Sequence, residues 1–127
     1  MFKTLIIYST TDGQTIKICN KLAKDSFNNN VKLCSLKEVI REDLNNYNKI
    51  IIGASIRYGK HNPSVLEFVK SNINILNKVK TAFFSVNVVA RKKEKNTPST
   101  NPYVIKFIKQ TNWRPTYIGV FAGKVDY

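Results

Sequence analysis

A cluster of hydroxyl-bearing residues follows the first apolar run of the sequence. The run ends at Tyr8, and the next residues are Ser9, Thr10, Thr11, Asp12, Gly13, Gln14 and Thr15. An amphipathic stretch follows, so the cluster is predicted at a helix N-terminus, where unpaired N–H groups and partial positive charge hold a phosphate. The cluster lacks both the GK[ST] of a Walker loop and a GxGxxG motif. A plain turn capped by Thr11 or Asp12 is the alternative.

Two further segments with functional side chains follow later apolar runs. The segment 54–62 carries Arg57, Tyr58 and the sole histidine, His61. Without partner ligands His61 is interpreted as a solvated loop residue, so no metal site is expected. The segment 86–101 carries the cations Arg91, Lys92, Lys93 and Lys95. A solvated basic loop is the alternative reading of this charge run.

The elements that position these segments are predicted from apolar patterns and caps. Short apolar runs predict five strands, at 3–8, 31–35, 49–54, 80–86 and 116–121. Helical spacing predicts helices at 15–27, 37–44, 62–73 and 101–108, the last two opened by Asn-Pro pairs. Strands that alternate with helices predict an α/β fold with a doubly wound parallel sheet. The three segments then leave the carboxyl ends of strands, where such folds bind ligands.

The composition limits the classes of protein to which this chain can belong. The 127 residues suit one domain, and 21 Lys+Arg against 8 Asp+Glu give a net charge of +13. Of the 21 cationic residues, 17 are Lys and 4 are Arg. A surface that binds nucleic-acid phosphates would use more Arg, whereas drift toward A/T-rich codons favours Lys. We therefore do not expect nucleic-acid binding. Cys19 and Cys34 are interpreted as reduced, buried small residues. The sequence has no long apolar window and no leader pattern. We therefore expect neither a membrane-spanning helix nor export.

Several motifs of the sequence resemble those of known families. Residues 6–15 resemble the flavodoxin fingerprint for the FMN phosphate, and the match runs to Leu22 with Cys19 at a position that is usually Ala. The segments GASIRYG (53–59), SVNVVARKKEKNTPSTNPY (85–103) and NWRP (112–115) resemble the menaquinone-dependent protoporphyrinogen IX dehydrogenase family. The resemblance covers the chain from Lys3 to Gly123.

The resemblance implies a flavodoxin-like five-stranded parallel sheet of order 2-1-3-4-5 that binds FMN. The residues 9–15 would hold the phosphate. Tyr58 would stack on the flavin ring, unless it packs on the following helix. The other residues implied along the ring are Ser55, Ile56, Arg57, Gly59, Ser85, Val86, Asn87, Val88 and Val89.

The implied activity is the oxidation of protoporphyrinogen IX to protoporphyrin IX in heme biosynthesis, with a quinone as the electron acceptor. The flavin carries the chemistry, and no residue is assigned as a catalytic base. Arg57, Arg91 and Lys92 are candidates for contacts with the propionates of the substrate. The implied location is cytoplasmic, peripheral on the cytoplasmic face of the inner membrane.

The family pattern continues beyond Tyr127, with an insertion and a last helix. The resemblance therefore implies that residues 1–127 form a single flavodoxin-like domain that is incomplete at its C-terminus. An uncovered apolar sheet surface would invite self-association. An electron-carrier flavodoxin and a truncated, non-catalytic remnant of the dehydrogenase are the alternative functions.

Overall fold

A parallel β-sheet forms the centre of the computed structural model, which describes residues 4–9, 21, 31–39, 44–57, 60–61, 63–87 and 101–122. Six strands are present in this part of the chain: β1 (Thr4–Ser9), β2 (Val31–Ser35), β3 (Lys49–Arg57), β4 (Lys60–His61), β5 (Lys80–Asn87) and β6 (Tyr117–Ala122). The parallel strands lie in the order β2-β1-β3-β5-β6. The five-stranded flavodoxin-like order predicted from the sequence is therefore confirmed.

The third strand is longer than the sequence pattern predicts. The apolar run predicts a strand that ends at residue 54, but β3 continues to Arg57, beyond the last residue that pairs with β5. The extension pairs antiparallel with the short strand β4, with Ile56 opposite His61 and Arg57 opposite Lys60. Because β4 supplies backbone partners, the predicted loop 54–62 contains a β-hairpin in its described part.

Three helices lie in the described part of the chain: α1 (Pro63–Ser71), α2 (Ile73–Leu76) and α3 (Pro102–Thr111). The predicted helix 62–73 is divided at Asn72, whose side-chain amide donates to the Phe68 carbonyl over 2.8 Å. Such a bond offers the backbone an alternative to a continuous helix. Lys21 is helical, and the rest of the predicted helix 15–27 lies outside the described residues.

The predicted helix 37–44 differs most from the structure. Its start is a turn in which the Ser35 hydroxyl donates to Glu38 Oε1 over 2.8 Å, while the Glu38 N–H donates to Ser35 Oγ over 3.3 Å. A 3₁₀ turn (Leu44–Asn46) begins at the last residue of the predicted helix, and residues 40–43 lie outside the described part. The described ends of this segment are thus tight turns and not an α-helix.

The main core lies between one face of the sheet and the helices α1 and α3. Phe83 of β5 stacks on Phe107 of α3 at 4.7 Å between ring centroids and meets the edge of Trp113 at 5.6 Å. The other buried residues of this core include Leu5, Ile7, Ile50, Ile52, Val65, Val69, Leu76 and Val104. On the opposite face a smaller cluster holds Ile6, Phe84 and Val86. Burial on both faces explains the continuous apolar runs of the central strands.

Candidate functional site at the carboxyl edge of the sheet

The three predicted segments follow β1, β3 and β5, whose carboxyl ends are neighbours in the sheet. Ser9 of β1 lies in register with Ala54 of β3, and Ala54 lies in register with Ser85 of β5. The chain leaves β1 toward β2 on one side and returns through β3 on the other, so the strand order reverses between β1 and β3. Such a reversal leaves a crevice at the carboxyl edge in which α/β proteins bind ligands.

Small residues occupy this edge on the central strands. Ala54 and Ser85 are fully buried, and Ser55 is 8% exposed. In the next row Ser55 lies opposite Val86. Short side chains at the ends of buried strands let a planar ligand approach the backbone closely. The predicted ligand site at this edge, held by hydroxyls and backbone groups, stays a prediction.

Gly53 precedes this row and has a steric reason to lack a side chain. A Cβ at this position would overlap the aromatic ring of Phe84 on the neighbouring strand. Phe84 is buried beside Ile6 and Val86, so its ring has little freedom to move away. Gly53 thus allows β3 and β5 to pair directly below the candidate site.

The hairpin of β3 and β4 projects beyond the parallel sheet at the same edge. It places Ile56 and Arg57, two of the predicted site residues, in a strand and not in an irregular loop. Arg57 and Lys60 occupy directly opposed positions of the hairpin.

Many of the predicted site residues lie outside the described part of the chain, so their roles stay predictions. They are Thr10, Thr11, Asp12, Gly13, Gln14, Thr15, Tyr58, Gly59, Val88, Val89, Arg91 and Lys92. Ser9, Ser55, Ile56, Arg57, Ser85, Val86 and Asn87 are the predicted residues that the structure describes, and all of them lie in strands.

The described residues contain no group of three His, Cys, Asp or Glu side chains that could hold a metal ion. Cys34 is buried, and its Sγ donates to the Ser35 carbonyl over 3.4 Å. The interpretation of Cys34 as a reduced, buried residue is confirmed, while Cys19 lies outside the described residues.

Two of the motifs that carry the resemblance have structural roles away from the carboxyl edge. Asn101 caps α3, because its side-chain oxygen accepts from the N–H groups of Tyr103 and Val104. In NWRP, Asn112 ends α3 in the left-handed region at φ 58°, and Trp113 Nε1 donates to Thr81 Oγ1 over 3.0 Å. The Asn-Pro pair predicts the cap. The Trp113–Thr81 bond joins residues 32 apart in the sequence, so no local pattern predicts it.

Comparison with known proteins identifies the family. A family model described as a flavodoxin domain matches residues 5–127. The protein named protoporphyrinogen IX dehydrogenase [quinone] from Escherichia coli K12 is 42% identical over 127 aligned residues, which cover 98% of this chain and 70% of that protein. The chain belongs to the protoporphyrinogen IX dehydrogenase family, within the flavodoxin domain proteins. A protoporphyrinogen IX dehydrogenase [quinone] from Leishmania major is 40% identical, and the match covers 98% of this chain and 55% of that protein.

Solved structures share the fold of this chain. A flavoprotein from Lactobacillus acidophilus, solved in complex with FMN, superposes with a TM-score of 0.67 at 17% identity. The superposition covers 94% of this chain and 93% of that one. At this level of identity the likeness supports the flavodoxin fold alone.

Proposed function

We propose that the chain binds FMN at the carboxyl edge between β1, β3 and β5. The described residues fit this group: Ala54, Ser55 and Ser85 are small, and Gly53 lets the strands below the edge pair closely. The edge lies at the reversal of strand order, where the doubly wound sheet leaves room for a ligand. In this proposal residues 9–15 hold the phosphate, and the segments 55–59 and 85–89 lie along the flavin ring.

The proposed reaction is the oxidation of protoporphyrinogen IX to protoporphyrin IX with a quinone as the electron acceptor. The observation that carries it is the 42% identity to relatives of that name over 98% of the chain, because so complete a match spans all three predicted segments. When bound, FMN supplies the two-electron redox chemistry, and the protein positions the reactants. No described residue is assigned as a catalytic base.

The cationic residues near the edge are proposed to hold the propionates of the substrate. Arg57 lies on the projecting hairpin opposite Lys60, and Arg91 and Lys92 follow β5 in the sequence. Arginine pairs with carboxylates through two parallel hydrogen bonds, which fixes orientation as well as affinity. These residues would thus bind and orient the substrate and take no part in electron transfer.

The Arg91→Ala variant tests this role. Loss of a charge-assisted hydrogen bond costs about 1.5–3 kcal/mol, so the KM for protoporphyrinogen IX should rise by roughly tenfold or more while kcat changes little. Lys109→Ala is the matched control, because it removes one exposed cation from α3. An unchanged KM in Arg91→Ala would remove Arg91 from the proposed substrate site.

Flavin binding and turnover are measured separately so that the alternatives are resolved. The purified chain is titrated with FMN, and porphyrin formation is then followed with and without a quinone. Bound flavin with quinone-dependent porphyrin formation supports the dehydrogenase. Bound flavin that exchanges electrons but forms no porphyrin supports an electron carrier, and the absence of flavin binding supports a non-catalytic remnant.

We also propose that the protein contacts the cytoplasmic face of the inner membrane peripherally. No helix in the described part of the chain is long and apolar enough to cross a membrane. The net charge of +13 favours contact with an anionic lipid surface. Sedimentation with vesicles should show binding when anionic lipid is present and release at high salt. Equal binding to neutral vesicles would contradict an electrostatic contact.

A further inference from the structure

A buried polar residue caps the first turn of α3. Asn101 is fully buried, and its Oδ1 accepts from the N–H groups of Tyr103 over 3.1 Å and Val104 over 3.3 Å. The Asn101 carbonyl accepts from the Ile105 N–H over 3.1 Å, so its backbone also belongs to this turn. A buried N–H group that loses its acceptor cannot turn to bulk water instead, so the start of α3 depends on this side chain.

The capped start of α3 lies toward the carboxyl edge of the sheet. Beyond the other end of the helix, the Thr116 N–H donates over 2.8 Å to the carbonyl of Thr81, the second residue of β5. The end of α3 is therefore near the amino edge, where β5 begins. A helix that connects two parallel strands runs back against their direction, so Asn101 is at the end of α3 nearer the carboxyl edge.

The return strand of the β3–β4 hairpin lies beside α3. Cα atoms of β4 and α3 approach within 8 Å of one another. Since the hairpin projects at the carboxyl edge, the start of α3 is the part that β4 approaches. β4 ends at His61 and α1 begins at Pro63, and α1 and α3 share the main core through Val65 and Val104. The hairpin is thus next to α1 in the chain and next to α3 in space.

We propose that Asn101 is a positioning residue for the candidate flavin site. It fixes the first turn of α3, and this turn supports the hairpin that carries Ile56 and Arg57. Asn101 also ends the segment 86–101, so one side chain links the two segments proposed beside the flavin ring. In this proposal Asn101 acts through α3 and does not touch the flavin. The role rests on the proposed function, because it concerns the binding of FMN.

The Asn101→Ala variant should weaken FMN binding. Both capping bonds are lost, so the first turn of α3 loosens beside β4, and the Kd for FMN should rise by roughly three- to tenfold. Asn101→Ser retains a capping oxygen and should restore most of the affinity. Titration of FMN fluorescence gives the Kd, at a temperature at which circular dichroism shows that each variant is folded.

Thr81→Val is the matched control for a general loss of stability. Thr81 is 2% exposed, and its Oγ1 accepts from Trp113 Nε1 just beyond the opposite end of α3. This variant also removes a buried hydrogen bond next to α3, but at the amino edge. It should therefore be destabilised and yet bind FMN with an unchanged Kd. An equal rise of the Kd in Asn101→Ala and Thr81→Val would overturn the positioning role.

Amide exchange of the unaltered chain decides if Asn101→Ala does not fold. Coupling between two sites is reciprocal, so a cap that favours FMN binding is itself stabilised by bound FMN. With FMN, the capped N–H groups of Tyr103 and Val104 should exchange more slowly, and the Thr116 N–H at the amino edge should change less.

The outcomes separate this role from the proposed function. An unaltered chain that binds no FMN would overturn the proposed function and the positioning role with it. If the unaltered chain binds FMN, three results would overturn the positioning role alone. They are an unchanged Kd in folded Asn101→Ala, a loss of affinity that Asn101→Ser does not reduce, and capped N–H groups whose exchange FMN slows no more than that of Thr116.

Discussion

At the scale of single residues, Gly53 links the sequence of β3 to the packing below the candidate site. Its missing side chain makes room for the Phe84 ring, so that the strands can lie side by side up to Ser55 and Val86. Ala54 and Ser85, which lie opposite each other at the carboxyl edge, also have small side chains and are fully buried. Gly53 thus shapes the sheet directly below the candidate site.

The Gly53→Ala variant should destabilise the protein. Its methyl group would overlap Phe84, and overpacking of this kind costs about 1–3 kcal/mol. Urea unfolding measures the loss. The double variant Gly53→Ala with Phe84→Leu should be less destabilised than the sum of the two single variants, because the smaller side chain gives space to the methyl group. Unchanged stability of Gly53→Ala would contradict the steric account.

The hydrogen bond between Trp113 and Thr81 gives a second prediction at this scale. Thr81→Val leaves the buried indole N–H without its acceptor, which should lower the free energy of unfolding by about 1–3 kcal/mol. Thr81→Ser keeps the hydroxyl and should lose less. The chain has a single tryptophan, so its fluorescence reports unfolding and the environment of the indole. Equal losses in the two variants would show that the hydroxyl is unimportant.

At the scale of elements, α3 is held at both ends by polar contacts. Its start is capped by the fully buried Asn101, and its end leads into Trp113 and Arg114. The Arg114 N–H donates to Asn77 Oδ1 over 2.9 Å, which joins the end of α3 to the end of α2. These contacts fix the start of β6 beside β5.

Removal of the cap should weaken this arrangement. Asn101→Ala loses both side-chain bonds to the first turn, and such losses cost about 0.5–2 kcal/mol. Asn101→Ser retains a capping oxygen and should recover most of the stability. Thermal unfolding compares the two variants with the unaltered chain. Identical midpoints for Asn101→Ala and the unaltered chain would show that the cap contributes little.

The strands and helices differ in how well the sequence alone predicts them. The five parallel strands followed from short apolar runs, because burial on both faces selects such residues. The extension of β3 did not, since it depends on the backbone partners that β4 supplies. The division between α1 and α2 depends on a side-chain bond of Asn72, which has no signal in the apolar spacing.

The neighbouring positions of the three strand ends at the candidate site were predictable, but the register of these strands was not. The three segments were expected at the carboxyl ends of strands, and the rows Ser9–Ala54–Ser85 and Ser55–Val86 show which residues of these strands are neighbours. Register arises from pairing between distant parts of the chain, so local patterns do not encode it. The structural role of NWRP was missed for the same reason.

At the scale of the whole molecule, the described residues form a sheet with a helix-covered face and a candidate ligand edge. The carboxyl edge carries the proposed flavin site, and α1 and α3 cover the main core.

Porphyrin formation by the FMN-loaded chain in the absence of oxygen tests the proposed oxidation of protoporphyrinogen IX. Protoporphyrinogen IX is supplied with and without a quinone, and the fluorescence of protoporphyrin IX is recorded while bound flavin is checked by its absorbance. Catalytic porphyrin formation that requires both FMN and quinone is the expected result. Tightly bound FMN with no porphyrin formed in the presence of quinone would contradict it.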